Sequence, residues 1–282
     1  MEPTTMTKFK SDFEADVYKG LTSQPKYLSS KYFYGGEGDL IFQKIMDLPE
    51  YYLTKTEFQI LKDYKQEIGE LFSDSSGFDL IELGAGDGKK TKVLLKHFQE
   101  SGLDFKYLPV DISENVLLQL TESLKKEVPG LQVDPKPGTY AQVLGDFPLG
   151  NKKKVILFLG SNIGNLTVND SIEFLKKIRS AMTPKDLLFV GFDQKKDPQT
   201  ILDAYHDKSG VTESFNKNLR HRIHRELLAD FEVYSFSHWP LYDPETVTMK
   251  SYLVSRKKQQ IHLKALDLVV SFQPWETIQT DV

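Results

Sequence analysis

Three short stretches carry residue types suited to gripping a nucleotide-like cofactor. The first is Glu82-Leu83-Gly84-Ala85-Gly86-Asp87-Gly88, an acidic residue followed by three alternating glycines. Glycine lets backbone amides approach a ligand closely, and the N-terminus of a following helix favours polar or anionic groups. A phosphate-binding loop would need glycine at position 83 and Ser or Thr after Gly88-Lys89, but these positions hold Leu83 and Lys90. A dinucleotide fingerprint would need glycine three positions after Gly86, where Lys89 stands. The second stretch is Leu108-Pro109-Val110-Asp111-Ile112-Ser113, whose Asp111 can accept hydrogen bonds from both hydroxyls of a ribose. The third is Gly145-Asp146-Phe147, suited to adenine, since Asp146 can accept from the amino group and Phe147 can stack. Read alone, the loop could be an ordinary strand-to-helix turn and Asp111 a helix N-cap, although Ser113 is the better cap. The three features in this order favour cofactor binding.

Such residues must stand at strand ends. Phe78 to Leu83 predicts a buried strand running into the loop, and Lys89 to Glu100 places Val93, Leu94 and Phe98 at helical spacing. Phe105 to Val110 repeats the strand pattern and Asn115 to Lys126 the helical one. Val155 to Leu159 closes at Gly160, Thr167 to Met182 predicts a helix with Ile172, Leu175 and Ile178 inward, and Leu187 to Phe192 predicts the next strand. Strands alternating with helices call for an α/β fold with a Rossmann-like, doubly wound parallel sheet. Outside it, residues 1–60 read as helical and aromatic, 200–230 as two helices, and Tyr234 to Phe272 as strands. The expected organisation is a cofactor-binding core over 61–196 and a second, α+β substrate-binding domain made from 1–60 and an insertion over 197–282.

Composition narrows the function. The 282 residues include 36 basic and 40 acidic side chains, a net charge of -4, which gives no bulk attraction to nucleic acid or anionic membrane. There is no cysteine, which excludes disulfides, thiolate metal sites and cysteine nucleophiles and suits a reducing cytoplasm. No run of about 18 apolar residues and no signal-peptide pattern occurs, so a soluble, cytoplasmic protein is expected. His221-Arg222-Ile223-His224-Arg225-Glu226 reads as a solvated helix face rather than a metal site, and Lys152-Lys153-Lys154 and Lys257-Lys258 as solvating turns. No metal is expected.

The acidic residue two before alternating glycines is the pattern of S-adenosylmethionine-dependent methyltransferases. Longer runs go further: Lys31-Tyr32-Phe33-Tyr34, then Leu48-Pro49-Glu50-Tyr51-Tyr52-Leu53-Thr54-Lys55-Thr56-Glu57, then Glu82 to Thr91, then Phe158-Leu159-Gly160-Ser161-Asn162-Ile163-Gly164-Asn165-Leu166. With Asp203-Ala204-Tyr205, Phe215-Asn216-Lys217-Asn218 and Ala265-Leu266-Asp267, the chain resembles the histidine-specific N-alpha-methyltransferases of ergothioneine biosynthesis over nearly its whole length. The resemblance implies a class I methyltransferase sheet with a second domain closing over the substrate. It implies transfer of three methyl groups from S-adenosylmethionine to the α-amino group of histidine, giving hercynine and S-adenosylhomocysteine. It also implies that Gly84, Gly86, Lys90, Asp111, Asp146 and Phe147 contact the cofactor, and that Tyr51, Asn165 and Tyr205 hold the amino acid's backbone groups, with Tyr34 and the Gly160 carbonyl nearby. In the family a glutamate of a Glu-Val-Ser stretch reads the imidazole. Here Asp281-Val282 stands there, one methylene shorter, and the family's further strands, which complete the sheet, would follow.

Methyl transfer is an in-line displacement, so the protein mainly positions the reactants and needs neither metal nor covalent intermediate. Each product is closer to a permanent cation, which a tyrosine ring face attracts while its hydroxyl orders a water. Tyr34 and Tyr51 are therefore the catalytic candidates; by residue type alone, Tyr32, Phe33, Tyr34, Tyr51 and Tyr52 could instead form a hydrophobic cluster. Asn165 could also cap the helix near Thr167. The expected partner is a small amino acid, with no nucleic acid or membrane, and the chain is expected to be a monomer. Two other readings are the same chemistry on another amine, such as a tryptophan derivative, and a non-catalytic ligand-binding homologue. Asp281 discriminates, because an apolar substrate would leave its carboxylate unpaired.

Overall fold

The computed structural model describes residues 9–145 and 152–281. In chain order the helices and strands begin with α1 (Asp12–Thr22), β1 (Lys26–Tyr27), α2 (Glu37–Asp47), α3 (Tyr52–Asp63) and α4 (Lys65–Phe72). There follow β2 (Phe78–Leu83), α5 (Lys92–Glu100), β3 (Phe105–Asp111), α6 (Glu114–Glu127), β4 (Lys136–Pro137), α7 (Tyr140–Gly145), β5 (Lys153–Phe158), α8 (Val168–Ser180) and β6 (Leu187–Val190). The remainder is α9 (Pro198–Ala204), α10 (Val211–Leu227), β7 (Phe236–Asp243), β8 (Thr248–Ser255), β9 (Gln259–Leu263), β10 (Leu268–Phe272) and β11 (Thr277–Asp281). The chain divides into two compact units, Tyr52–Gln194 and Met1–Tyr51 with Lys195–Val282. Where the sequence suggested boundaries near 60 and 196, α3 goes with the first unit, because its Glu57 bonds residues at the ends of that unit's strands.

Unit Tyr52–Gln194 is built on a parallel sheet of order β4-β3-β2-β5-β6. This is the doubly wound α/β arrangement of a class I methyltransferase. Successive side chains point to opposite faces of a strand, and both faces are covered. Leu80, Tyr107, Val155 and Leu157 pack with Leu94, Leu95 and Phe98 of α5 on one side. Ile81, Leu83, Leu108, Val110, Ile156 and Phe158 pack with Ile178 of α8 on the other. Helix α5 begins later than expected, because Thr91 at its N-cap turns its hydroxyl to Glu82, and Leu95 rather than Val93 joins the core. Helix α8 buries Ile178, but Ile172 is 46% exposed, since Phe174 takes the inward place beside Phe158. The basic run near 153 is not a turn. Lys153 and Lys154 lie buried in β5, where their ammonium groups donate to the carbonyls of Leu71 and Ala181 at 3.0 and 2.7 Å, and Asp186 stands 3.5 Å from Lys154. Lysine enters the strand because its long stem packs like an aliphatic chain while its head reaches a partner.

In the other unit, β1-β11-β8-β7 form one sheet and β10-β9 a separate hairpin. Helix α10 buries Phe215, Leu219, Ile223 and Leu227 at helical spacing. His221, His224, Arg225 and Glu226 fall on its exposed side, whereas Arg222 is half-buried over the rings of Phe13 and Tyr32 and donates to the carbonyls of Tyr32 and Tyr34. Among the described residues no helix is long and apolar enough to cross a membrane, and no group of three or more metal-ligating side chains is placed to hold an ion.

Candidate functional site

The chain runs from β2 outward through β3 to β4, then crosses back to β5 on the other side of β2. Ligands of open α/β sheets bind outside the carboxyl ends of the strands at such a switch point. Gly84 follows β2, Gly160 follows β5 and Asp111 ends β3, so the topology brings three of the expected site residues to this end of the sheet.

The loop after β2 is held from below. Gly84 and Ala85 donate their N–H groups to the Val110 carbonyl at 2.8 and 3.1 Å. Gly84 has φ +75°, and a Cβ there would lie 2.6 Å from the Tyr140 hydroxyl, so only glycine fits. Gly86, at φ +53°, has nothing within 4 Å of where a Cβ would sit, which leaves open space over its backbone. Its N–H donates to Asp111 Oδ2 at 3.0 Å, and Ser113 N–H donates to Oδ1 at 2.9 Å, fixing the carboxylate beside the loop. Ser113, not Asp111, caps α6, its hydroxyl accepting from Val116 N–H. A cavity on the flank of α5 and α6, lined by Lys92, Lys96, Ser123 and Glu127, reaches Asp87 and Lys89 of the loop but none of Gly84, Gly86, Lys90 or Asp111.

Beneath the loop, Glu82 is 3% exposed. Thr91 donates to its Oε1 at 2.5 Å and Tyr107 donates to Oε2. Burial pushes its carboxyl up to about 7, against the opposing effect of those two donors. Burial, with the charges of Asp111 and Glu82 behind it, likewise raises the Tyr140 hydroxyl.

A second knot joins Lys90 and Gly160. Glu57 of α3 pairs with Lys90, and both its oxygens lie 2.9 Å from the Gly160 N–H they accept. Lys90 and Glu57 are 19% and 16% exposed. Glu57 was legible only as one letter of a longer matching run, because its partners lie 33 and 103 residues away. Asn165 ends a 3-10 turn, Asn162–Asn165, and is exposed; the cap of α8 is Thr167, whose hydroxyl accepts from Asp170 N–H. Asp146 and Phe147 lie outside the described residues.

In the unit formed by Met1–Tyr51 and Lys195–Val282, Tyr34, Tyr51 and Tyr205 join one set of aromatic contacts. Tyr34 meets Phe42 edge-on at 5.5 Å, Phe42 meets Tyr51 at 6.4 Å, and Tyr51 meets Tyr205 at 6.1 Å. Phe42 and Phe215 link the set; Phe215 was legible only as one letter of a matching run, and Phe42 not at all. Tyr32 packs on Phe13 and donates to Asp16 at 2.7 Å, while Tyr52 belongs to the other unit and donates to Asp193 at 2.5 Å, so the five N-terminal aromatics do not form one cluster.

Asp281 ends β11. Along this strand Ile278 and Gln279 pair with Leu253 and Tyr252, but the register slips and Asp281, not Thr280, stands opposite Ser251. Burial alternates along the strand, so Asp281 falls in phase with Thr277 and Gln279 and out of phase with the buried Ile278 and Thr280. Thr280 is fully buried and its hydroxyl donates to the Ser251 carbonyl at 3.0 Å.

With this geometry in place, comparison with known proteins decides the family. The family described as histidine-specific, S-adenosylmethionine-dependent methyltransferases matches residues 13–282. The chain belongs to that family. The histidine N-alpha-methyltransferase of Mycolicibacterium smegmatis is 37% identical over 95% of this chain and 82% of its own. Its counterpart in Mycobacterium tuberculosis is 35% identical over the same shares. A 4-dimethylallyltryptophan N-methyltransferase of Claviceps fusiformis is 29% identical over 67% of this chain and 56% of its own. As a member of the family the protein is an S-adenosylmethionine-dependent methyltransferase with a class I sheet.

Proposed function

We propose that this methyltransferase trimethylates the α-amino group of histidine, giving hercynine, as a cytoplasmic enzyme acting on the free amino acid. The observation that carries the reading is the family match over 13–282, joined to a sheet whose strand ends bring Gly84, Gly86 and Asp111 together. The similarity to the two histidine N-alpha-methyltransferases supports histidine as the substrate.

The residues at the strand ends fit the cofactor. The open space over Gly86 admits a ligand to the backbone, Asp111 is oriented for a ribose, and Lys90 supplies a cation for the methionine carboxylate. Asp146 and Phe147 take the adenine. When bound, the cofactor would supply an electrophilic methyl group, the N–C bond forming from the amine lone pair as the C–S bond breaks and S-adenosylhomocysteine departs. Histidine's amine must be neutral to attack, and its proton leaves to water ordered by the Tyr34 or Tyr51 hydroxyl. The same rings attract the growing cationic charge, a contribution of up to about 2 kcal/mol where water is excluded. Tyr51, Asn165, Tyr205 and the Gly160 carbonyl hold the amino and carboxylate groups, and Asp281 accepts the imidazole N–H. No step calls for a metal.

Calorimetry with S-adenosylhomocysteine and then histidine, followed by product mass, tests this. Binding of both and a gain of three methyl groups is expected. Turnover of a tryptophan-derived amine in preference to histidine would move the protein to the other reading, and binding without turnover would leave a ligand-binding protein.

A further inference from the structure

The geometry points to His238 as a positioning residue for Tyr205: its neutral Nε2–H tautomer holds the Tyr205 carbonyl. The inference rests on the reading that Tyr205 grips the backbone groups of the substrate histidine.

His238 lies in β7, 8% exposed, with Nδ1 2.7 Å from Asn216 Nδ2 and Nε2 3.3 Å from the Tyr205 carbonyl oxygen. Asn216, on α10, is 2% exposed, and its Nδ2 is also 3.3 Å from the Tyr252 carbonyl. A carbonyl can only accept, so Asn216 turns its NH2 toward Tyr252 although this leaves its own buried Oδ1 without a partner among the described residues; the flipped amide would set two oxygens against each other. The NH2 that faces Tyr252 also faces Nδ1. Nδ1 is therefore the acceptor, the ring proton sits on Nε2, and that N–H points at Tyr205. An imidazolium would place an Nδ1–H donor against the Asn216 NH2 donors at 2.7 Å, in a site too buried for water to relieve the clash.

The surroundings agree. Burial pulls the His238 pKa below its ordinary value against the bond to the Tyr205 carbonyl, which favours the charged ring; His206 and Lys217 oppose a charge and Glu213 favours one. Glu213 and Lys217 are paired with each other on α10, the His206 ring centre is 6.1 Å away, and Tyr252 lies on the neighbouring strand β8. His238 is thus kept neutral around pH 7. Tyr205 touches Tyr51 through its ring, so its backbone setting affects both tyrosines of the proposed amino-acid site.

The experiment uses the intact chain with His238→Leu, His238→Gln and Tyr205→Phe. Nitrogen-15 NMR of wild type at pH 7.5 is expected to show the Nε2–H tautomer; an Nδ1–H tautomer or an imidazolium overturns the inference whether or not the variants fold. His238→Leu should raise KM for histidine about tenfold, the scale of one buried hydrogen bond, with S-adenosylhomocysteine affinity unchanged. Gln can donate through its amide NH2, so His238→Gln should stay within about threefold of wild type. A KM for histidine unmoved in His238→Leu would sink the positioning role. If instead Tyr205→Phe leaves KM for histidine unchanged, the assignment of Tyr205 fails, and the tautomer still judges its bond to His238 separately.

Discussion

Glu57 accepts the Gly160 N–H with both carboxylate oxygens at 2.9 Å while pairing with Lys90, so one side chain of α3 ties the loop after β2 to the loop after β5. Glu57→Ala would leave a half-buried ammonium and a backbone donor without this acceptor, and should cost about 1 to 3 kcal/mol in chemical denaturation. Glu57→Gln can still accept the Gly160 N–H and should keep most of that stability. Its loss of charge should also tighten S-adenosylhomocysteine binding a few-fold if Lys90 faces the methionine carboxylate. Equal denaturation midpoints for both variants and wild type would show that the tie contributes nothing.

Glu82 offers a test in pH. Its carboxyl is raised from 4.5 to about 7 in the fold, so the native state binds the proton more tightly than the unfolded chain. The sign follows: this contribution is fully present below pH 4.5 and is lost as pH rises toward about 7. Wild type should therefore lose roughly 1 to 3 kcal/mol relative to Glu82→Gln across that window. Parallel stability curves for the two proteins between pH 4.5 and 8 would refute the buried-acid assignment.

Asp111→Ala should weaken S-adenosylmethionine binding by about 1.5 to 3 kcal/mol, the scale of hydrogen bonds to a charged group. Gly86 and Ser113 lose their acceptor in the same substitution, so Asp111→Asn is the better control. Its remaining oxygen can accept one N–H, and its affinity should fall between those of Ala and wild type. Calorimetry on a folded variant with undiminished affinity would remove Asp111 from the ribose site.

Asp281→Asn should raise KM for histidine by about tenfold or more without changing cofactor affinity, since a charged acceptor for the imidazole N–H becomes a neutral one. Thr280→Val removes the hydroxyl that bonds the Ser251 carbonyl at the register slip, and should raise the same KM less strongly, with Thr280→Ser restoring it. A Thr280→Val enzyme with normal KM would mean that the backbone alone keeps the slip.

The sequence by itself determined the parallel sheet, the glycine loop with Asp111 at the end of the next strand, and the family. Those signals are local: apolar runs of strand length, glycines at fixed spacing and matching runs of residues, each readable without knowing what lies opposite. Tertiary structure decided what depends on distant partners. Lys153 and Lys154 look like a solvated turn until β5 is flanked by β2 and β6, whereupon their stems must be buried and their heads must find carbonyls. Glu57 becomes part of the site only when α3 reaches strand ends far along the chain. The tautomer of His238 turns on which way the Asn216 amide is turned by a carbonyl of a neighbouring strand. Hydrogen-bond complementarity between residues remote in sequence leaves no periodicity to read, which is why only the folded chain reveals it.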